Sequence, residues 1–150
     1  MSAPLQRHKS KLVATWAALV GGSLGLHRFY LHGLTDPWGW CSFAPTLLGL
    51  YGLQRARHFG LDDHLSWVLL PLLGLTIAAG MLAAIVHGLT PDEKWNARFN
   101  PQDSAPPSGW LTILGVILAL AFGAAALMAS LAFSAQRFFE YQAETSTRGS

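Results

Sequence analysis

Four apolar runs, residues 12–31, 38–53, 65–89 and 110–133, constrain this chain more than anything else in it. Crossing a hydrocarbon layer ~30 Å thick takes ~20 helical residues, and the runs match or approach that length. Composition agrees, with 51% hydrophobic and 12% charged residues, where a soluble domain carries ~25% charged. One cysteine excludes a disulfide scaffold, and a net charge of +2 without a basic stripe interleaved with aromatics gives no footprint for nucleic acid. The expectation is an all-α, polytopic membrane protein with four transmembrane helices arranged as two hairpins, surrounded by the lipid bilayer.

The groups that cannot cross a membrane divide the chain into seven parts. Residues 1–11 form a basic segment and 12–53 a two-helix unit, with Pro45 expected to bend its second helix. A loop at 54–64 leads to the third helix, 65–89, in which Pro71 frees the Trp67 carbonyl. An outer loop at 90–109 precedes the fourth helix, 110–135, and a polar tail at 136–150. Asp36 before Pro37, and Asp62-Asp63 after Gly60, read as helix starts. Within the outer loop, Thr90-Pro91-Asp92-Glu93 reads as a cap and first turn, with Trp95 and Phe99 one turn apart, so a short interfacial helix is expected there. The tail after Phe139 is expected to be disordered.

Orientation is expected from lysine and arginine, which favour the cytoplasmic side. With both termini inside, that side collects Arg7, Lys9, Lys11, Arg55, Arg57, Arg137 and Arg148, leaving Arg28, Lys94 and Arg98 outside. Trp38, Trp40, Trp95 and Trp110 then mark the outer boundary, and Trp16, Trp67, Phe138 and Phe139 the inner one. Basic residues before an apolar run also open secretory signals, but no small-x-small cleavage pattern follows, so the segment is expected to be retained.

The densest pattern is Gly21-Gly-Ser-Leu-Gly-Leu-His-Arg-Phe-Tyr-Leu-His-Gly33. Gly21 and Gly25 make a small-xxx-small face on which another helix can pack. His27 and Arg28 fall near the outer boundary, where an arginine reaches headgroups or pairs with a carboxylate such as Asp36. Through Gly25, His27, Arg28, Phe29, Tyr30, Leu31 and Gly33, residues 11–53 resemble the TM-two domain family, named for two transmembrane helices. Here His32 intervenes before the glycine, and 38–53 lacks the acidic residue that many members carry. The remaining helices resemble those of a four-span bacterial branch of uncharacterised membrane proteins. The resemblance implies a bacterial inner-membrane location and no catalytic residue.

Little else points to chemistry. His27 and His32 lie about 140° apart around a helix, which does not favour joint metal ligation, and His87 sits at a helix end. No carboxylate falls within the spans to couple a transported cation. Ser23, Ser42, Ser66, Ser130 and Ser134 lack a base and an elbow, and Cys41 reads as a small buried hydrophobe. No cofactor or metal is expected. Gly80, Ala84 and Gly88, and again Ala121, Ala125 and Ala129, recur every four residues and read as helix-packing faces. They serve either the bundle itself or association with a second copy or another membrane protein. The function expected is that of a non-enzymatic membrane scaffold or interaction protein; the alternative is a small channel or transporter subunit acting as an oligomer.

Overall fold

The computed structural model describes residues 8–102 and 105–149. Six helices follow one another: α1 Lys11–Gly21, α2 Leu26–His32, α3 Pro37–Phe59, α4 His64–Leu89, α5 Asp92–Phe99 and α6 Trp110–Arg148, with no strand among the described residues. Local chemistry sets many of the boundaries. Asp36 accepts from the Trp38 amide with Pro37 in the first turn, and Asp63 accepts from the Ser66 amide. Gly33 and Gly60, at φ +88° and +84°, end α2 and α3 in the left-handed region that other residues avoid.

Helices α4 and α6, of 26 and 39 residues, are ~39 and ~58 Å long. Both are long and apolar enough to cross a membrane. They run antiparallel and meet at levels seven residues apart: Gly88 against Val116, Met81 against Gly123, Gly74 against Ser130, and Trp67 beneath the Arg137 guanidinium. Seven residues is two helical turns, so the same faces stay in register along the seam. At the first three levels one partner is glycine, and the glycine alternates between the helices. Each larger side chain thus enters a gap left by the opposite backbone. On the other flank of α4, antiparallel α3 sets Gly49 and Gly52 against Leu73 and Leu69.

The interior is built mainly from small residues, several of them polar, while the perimeter is large and apolar. Ala14, Ala18, Ala84, Ala119 and Thr15 are fully buried, whereas Leu48, Ile113, Leu120, Phe122 and Met128 stand exposed. A water-soluble core has the opposite distribution. In lipid, where tails are as apolar as leucine, helices associate through small residues that allow backbones to touch, which gives this inverted pattern.

The first apolar run departs from expectation. Residues 12–31 form two short helices rather than one span, because Gly21, Gly22 and Gly25 break the helix and Gly25 turns it at φ +76°. Helix α1, with 11 residues, reaches only ~16 Å, about half a hydrocarbon layer. Helix α2 then folds back along it: the Ser10 amide donates to the Tyr30 hydroxyl at 2.9 Å and the Lys9 ammonium to the Leu31 carbonyl. The turn lies halfway down the bundle, with Gly22 on Gly80 of α4 and the Ser23 carbonyl accepting from Thr46 of α3.

This fold-back regroups the charges. Lys9, Lys11, Arg28, Lys94 and Arg98 share one end, here called the hairpin end, and Arg55, Arg57, Arg137 and Arg148 lie toward the other. The expected grouping of Lys9 and Lys11 with Arg55 and Arg137 is therefore wrong, and the charge bias that supported it disappears; Arg7 lies outside the described residues. Trp16, expected at the far boundary, donates to the Leu111 carbonyl near the hairpin end. Other boundaries also move. Helix α3 continues through Arg55 and Arg57, so the connection shrinks to four residues, 60–63. The tail expected to be disordered is helical through Arg148, where Gln136 and Arg137 both bond Glu140 and hold the helix past its apolar part. Thr90 caps the end of α4 rather than the start of α5, its hydroxyl donating back to the Val86 carbonyl.

Candidate functional site: the folded-back hairpin and its groove

Each residue of the Gly25–Gly33 pattern has a place in the hairpin. Gly25 combines a positive φ with contact against α3, where a Cβ would lie 2.6 Å from the Gly39 carbonyl oxygen. His27 is 7% exposed and its ring centroid is 5.5 Å from that of His87 on α4. Phe29 covers Gly39 and meets the edge of Trp40. Tyr30 receives the Ser10 amide, and Leu31 is buried with Ala14 and Trp95. The glycine expected to face another helix, Gly21, instead receives the side chain of its own neighbour Leu26, and Gly22 makes the interhelical contact.

Arg28 ends the hairpin with an ion pair, its Nε 2.8 Å from Asp36 Oδ2. The Arg28 hydrogen bond holds the Asp36 carboxyl below its ordinary pKa, and the Trp38 amide adds to this. The same carboxylate therefore caps α3 and fixes α2. At the opposite end, Asp63 repeats the device: it caps α4 and takes two bonds from Arg55, at 2.8 and 2.9 Å, which depress its pKa.

A second polar cluster closes the hairpin end from above. Lys11, 9% exposed, lies 2.9 Å from Asp92 on α5, and Ser108 bonds both. The Lys11 hydrogen bond lowers the Asp92 pKa, with help from the Ser108 amide. Asn100 exchanges two bonds with the Lys9 backbone, and the Trp95 indole donates to the Lys9 carbonyl. Trp95, expected at the membrane boundary, is instead 2% exposed and stacked on Phe99. Lys11, Asp92 and Ser108 were not singled out together from the sequence, because the contacts join residues 81 and 97 positions apart.

Beside the hairpin, α3 and α4 leave a lateral groove of about 360 Å³. His27, Arg28, Cys41 and Ser42 line its upper part, and Leu72 and Leu75 its lower part. Cys41 is exposed there, against the expectation of a buried thiol. Below it Pro45 offers no amide to the Cys41 carbonyl. His32 meets Phe99 edge-on, with ring centroids 6.3 Å apart.

The expected packing stripes divide. Gly80, Ala84 and Gly88 all face inward, on Gly22, on Ala18 with Ala119, and on Val116. Ala121, Ala125 and Ala129 are exposed. The inward face of α6 is instead Gly115, Ala119, Gly123 and Ser130, four to seven residues apart. Alanine alone does not distinguish a lipid-facing surface from a helix-facing one. No family model, curated protein or solved structure matches this chain, so any functional reading rests on the arrangement of its own residues.

Proposed function

We propose that the chain is a non-enzymatic integral membrane interaction protein of the TM-two kind, residing in a bacterial inner membrane. In this reading α3, α4 and α6 cross the bilayer, while α1 and α2 enter and leave on one side, leaving the termini on opposite sides. The observation that carries it is the division of labour among side chains. The residues of the Gly25–Gly33 pattern are engaged in building the hairpin, and large apolar residues make up most of the perimeter. What remains to meet a partner is that perimeter, including the outward stripe Ala121, Ala125 and Ala129 on α6.

The test is a photo-crosslinking residue placed at Ala125 and, as a control, at Ala119 in the full chain in its membrane. The proposal expects adducts of one defined mass at 125 and none at 119. A chain that stays monomeric and uncrosslinked at every perimeter position tried contradicts it.

The alternative, an oligomeric channel, draws on one feature: a broken backbone at Gly22–Gly25 beside a polar groove, an arrangement that transporters use at their binding sites. Ion flux into liposomes that is lost on Pro45→Ala, with the fold retained, favours the channel. Flux equal to empty vesicles favours the interaction protein.

A further inference from the structure

We propose that the lateral groove binds one anionic phospholipid, its phosphate at Arg28 and an acyl chain along Leu72 and Leu75. Its volume of about 360 Å³ falls within the ~300–1,000 Å³ of small-molecule sites, but its polarity gradient is the more specific feature. The cation and the polar groups of His27 and Ser42 sit toward the hairpin end; the wall deeper in the bundle carries no charge and is formed by Leu72, Leu75 and Pro45 with Thr76, whose hydroxyl donates to the Leu73 carbonyl. A phospholipid has the same order from boundary to midplane.

Two side chains in the groove have unused capacity for hydrogen bonding. Arg28 engages Asp36 through Nε, and its side chain is 35% exposed, leaving its Nη groups open to a phosphate, which guanidinium recognises with paired bonds. His27 is buried, yet its Nδ1 has no hydrogen-bond partner among the described residues. An unpaired buried nitrogen carries a cost, and a ligand relieves it here only when the ring turns to open Nδ1 to the groove.

The mouth of the groove favours a lipid over free phosphate. Cys41, Leu75 and Ala79 at the rim are exposed and open onto the apolar perimeter. This inference rests on the reading that the perimeter faces lipid, which sided labelling tests independently of any binding measurement.

The experiment measures binding to the full chain, purified in an uncharged detergent, by native mass spectrometry with a parallel equilibrium titration. The probes are dioleoyl phosphatidylglycerol, dioleoyl phosphatidylcholine and inorganic phosphate. One phosphatidylglycerol per chain is expected, about tenfold tighter than phosphatidylcholine, as for one charge-assisted contact. Arg28→Gln should remove that preference. Asp36→Asn keeps a capping side chain while releasing the guanidinium, and should tighten phosphatidylglycerol binding. Ala79→Phe fills the groove from its exposed rim, and should abolish binding with thermal unfolding unchanged; it decides the matter if Arg28→Gln does not fold. Equal binding of the two lipids, or phosphatidylglycerol binding that survives Ala79→Phe, overturns the proposal. Inorganic phosphate binding as tightly as the lipid overturns the assignment of a lipid source.

Discussion

The hairpin α1–α2 and the pair α4–α6 solve the same packing problem with different means. The long pair meets through glycines that alternate with Val116, Met81 and Ser130, and continuous helices satisfy their own backbones. The hairpin interrupts its backbone halfway down the bundle, where Thr46 donates to the Ser23 carbonyl, and its return to the hairpin end is held by the Ser10 amide on Tyr30, Lys9 on Leu31 and Arg28 on Asp36. Where water is scarce, a broken helix holds only if neighbours satisfy the groups it frees. Side-chain chemistry is therefore most specific where the backbone is least regular.

Glycine substitutions separate the two regions most sharply. Gly80→Ala sets a new methyl 2.7 Å from backbone atoms of Gly22 and Ser23, and neither side can yield by rotating a side chain. A loss of about 3 kcal/mol is expected, as for overpacking at a rigid contact. Gly25→Ala combines its clash at Gly39 with a strained φ, and the loss expected is of similar size, about 3 kcal/mol. In the α4–α6 seam, Gly123→Ala meets the Met81 Cβ at 2.8 Å, a single close atom that a small shift between the two helices relieves, so about 1–2 kcal/mol is expected. Thermal unfolding in detergent ranks the three, and a Gly123 variant more damaging than the Gly80 variant would reverse the comparison. Gly33→Ala has open space around it, so only the strain of its glycine-type backbone, about 1–3 kcal/mol, is expected.

Ion pairs come next. Lys11→Met leaves Asp92 without its cation at a part-buried site, and about 1 kcal/mol is expected. Adding Asp92→Asn should recover part of it, because no unpaired charge then remains; unfolding of the single and double variants checks this.

Acid should weaken the polar region selectively. Asp36, Asp63 and Asp92 all have folded pKa values below the reference of 3.8. A depressed folded value stabilises the fold fully above the unfolded pKa, and that contribution is lost as pH falls through the depressed values. The melting temperature should therefore decline as pH falls below about 4, where these carboxylates take up protons. Asp63→Asn, which keeps a capping side chain, should shallow that decline.

The smallest effect is expected on the outward stripe. Ala125→Leu should leave unfolding within about 0.5 kcal/mol, as for exposed positions free of special contacts. A large loss would place a hidden packing partner there.

Local signals were legible and long-range ones were not. Asp36-Pro37, Asp63 and Gly60 carry helix boundaries within a few residues, and the Arg28–Asp36 pair spans only eight. The Gly21–Gly25 cluster was ambiguous, because glycines spaced by four permit close helix packing and also favour a turn. Both uses occur here, Gly22 touching α4 and Gly25 reversing the chain, and only the tertiary partners Gly80, Gly39 and Thr46 decide between them. Reading the cluster as a packing face produced one span where there are two half-helices. That single choice also placed Lys11 on the side opposite Asp92, its actual partner. The groove was invisible for the same reason, since its walls come from three separate helices.

Sided cysteine labelling tests the fold-back most directly. With Cys41 replaced by alanine, single cysteines at His8, Lys94, Asp62 and Gln142 are exposed in intact cells to an impermeant thiol reagent, and again after permeabilisation. The fold-back predicts that positions 8 and 94 react from one side, and that 62 and 142 react from the other. Position 8 reacting together with 62 and 142, apart from 94, would show that the first apolar run crosses the membrane as a single helix.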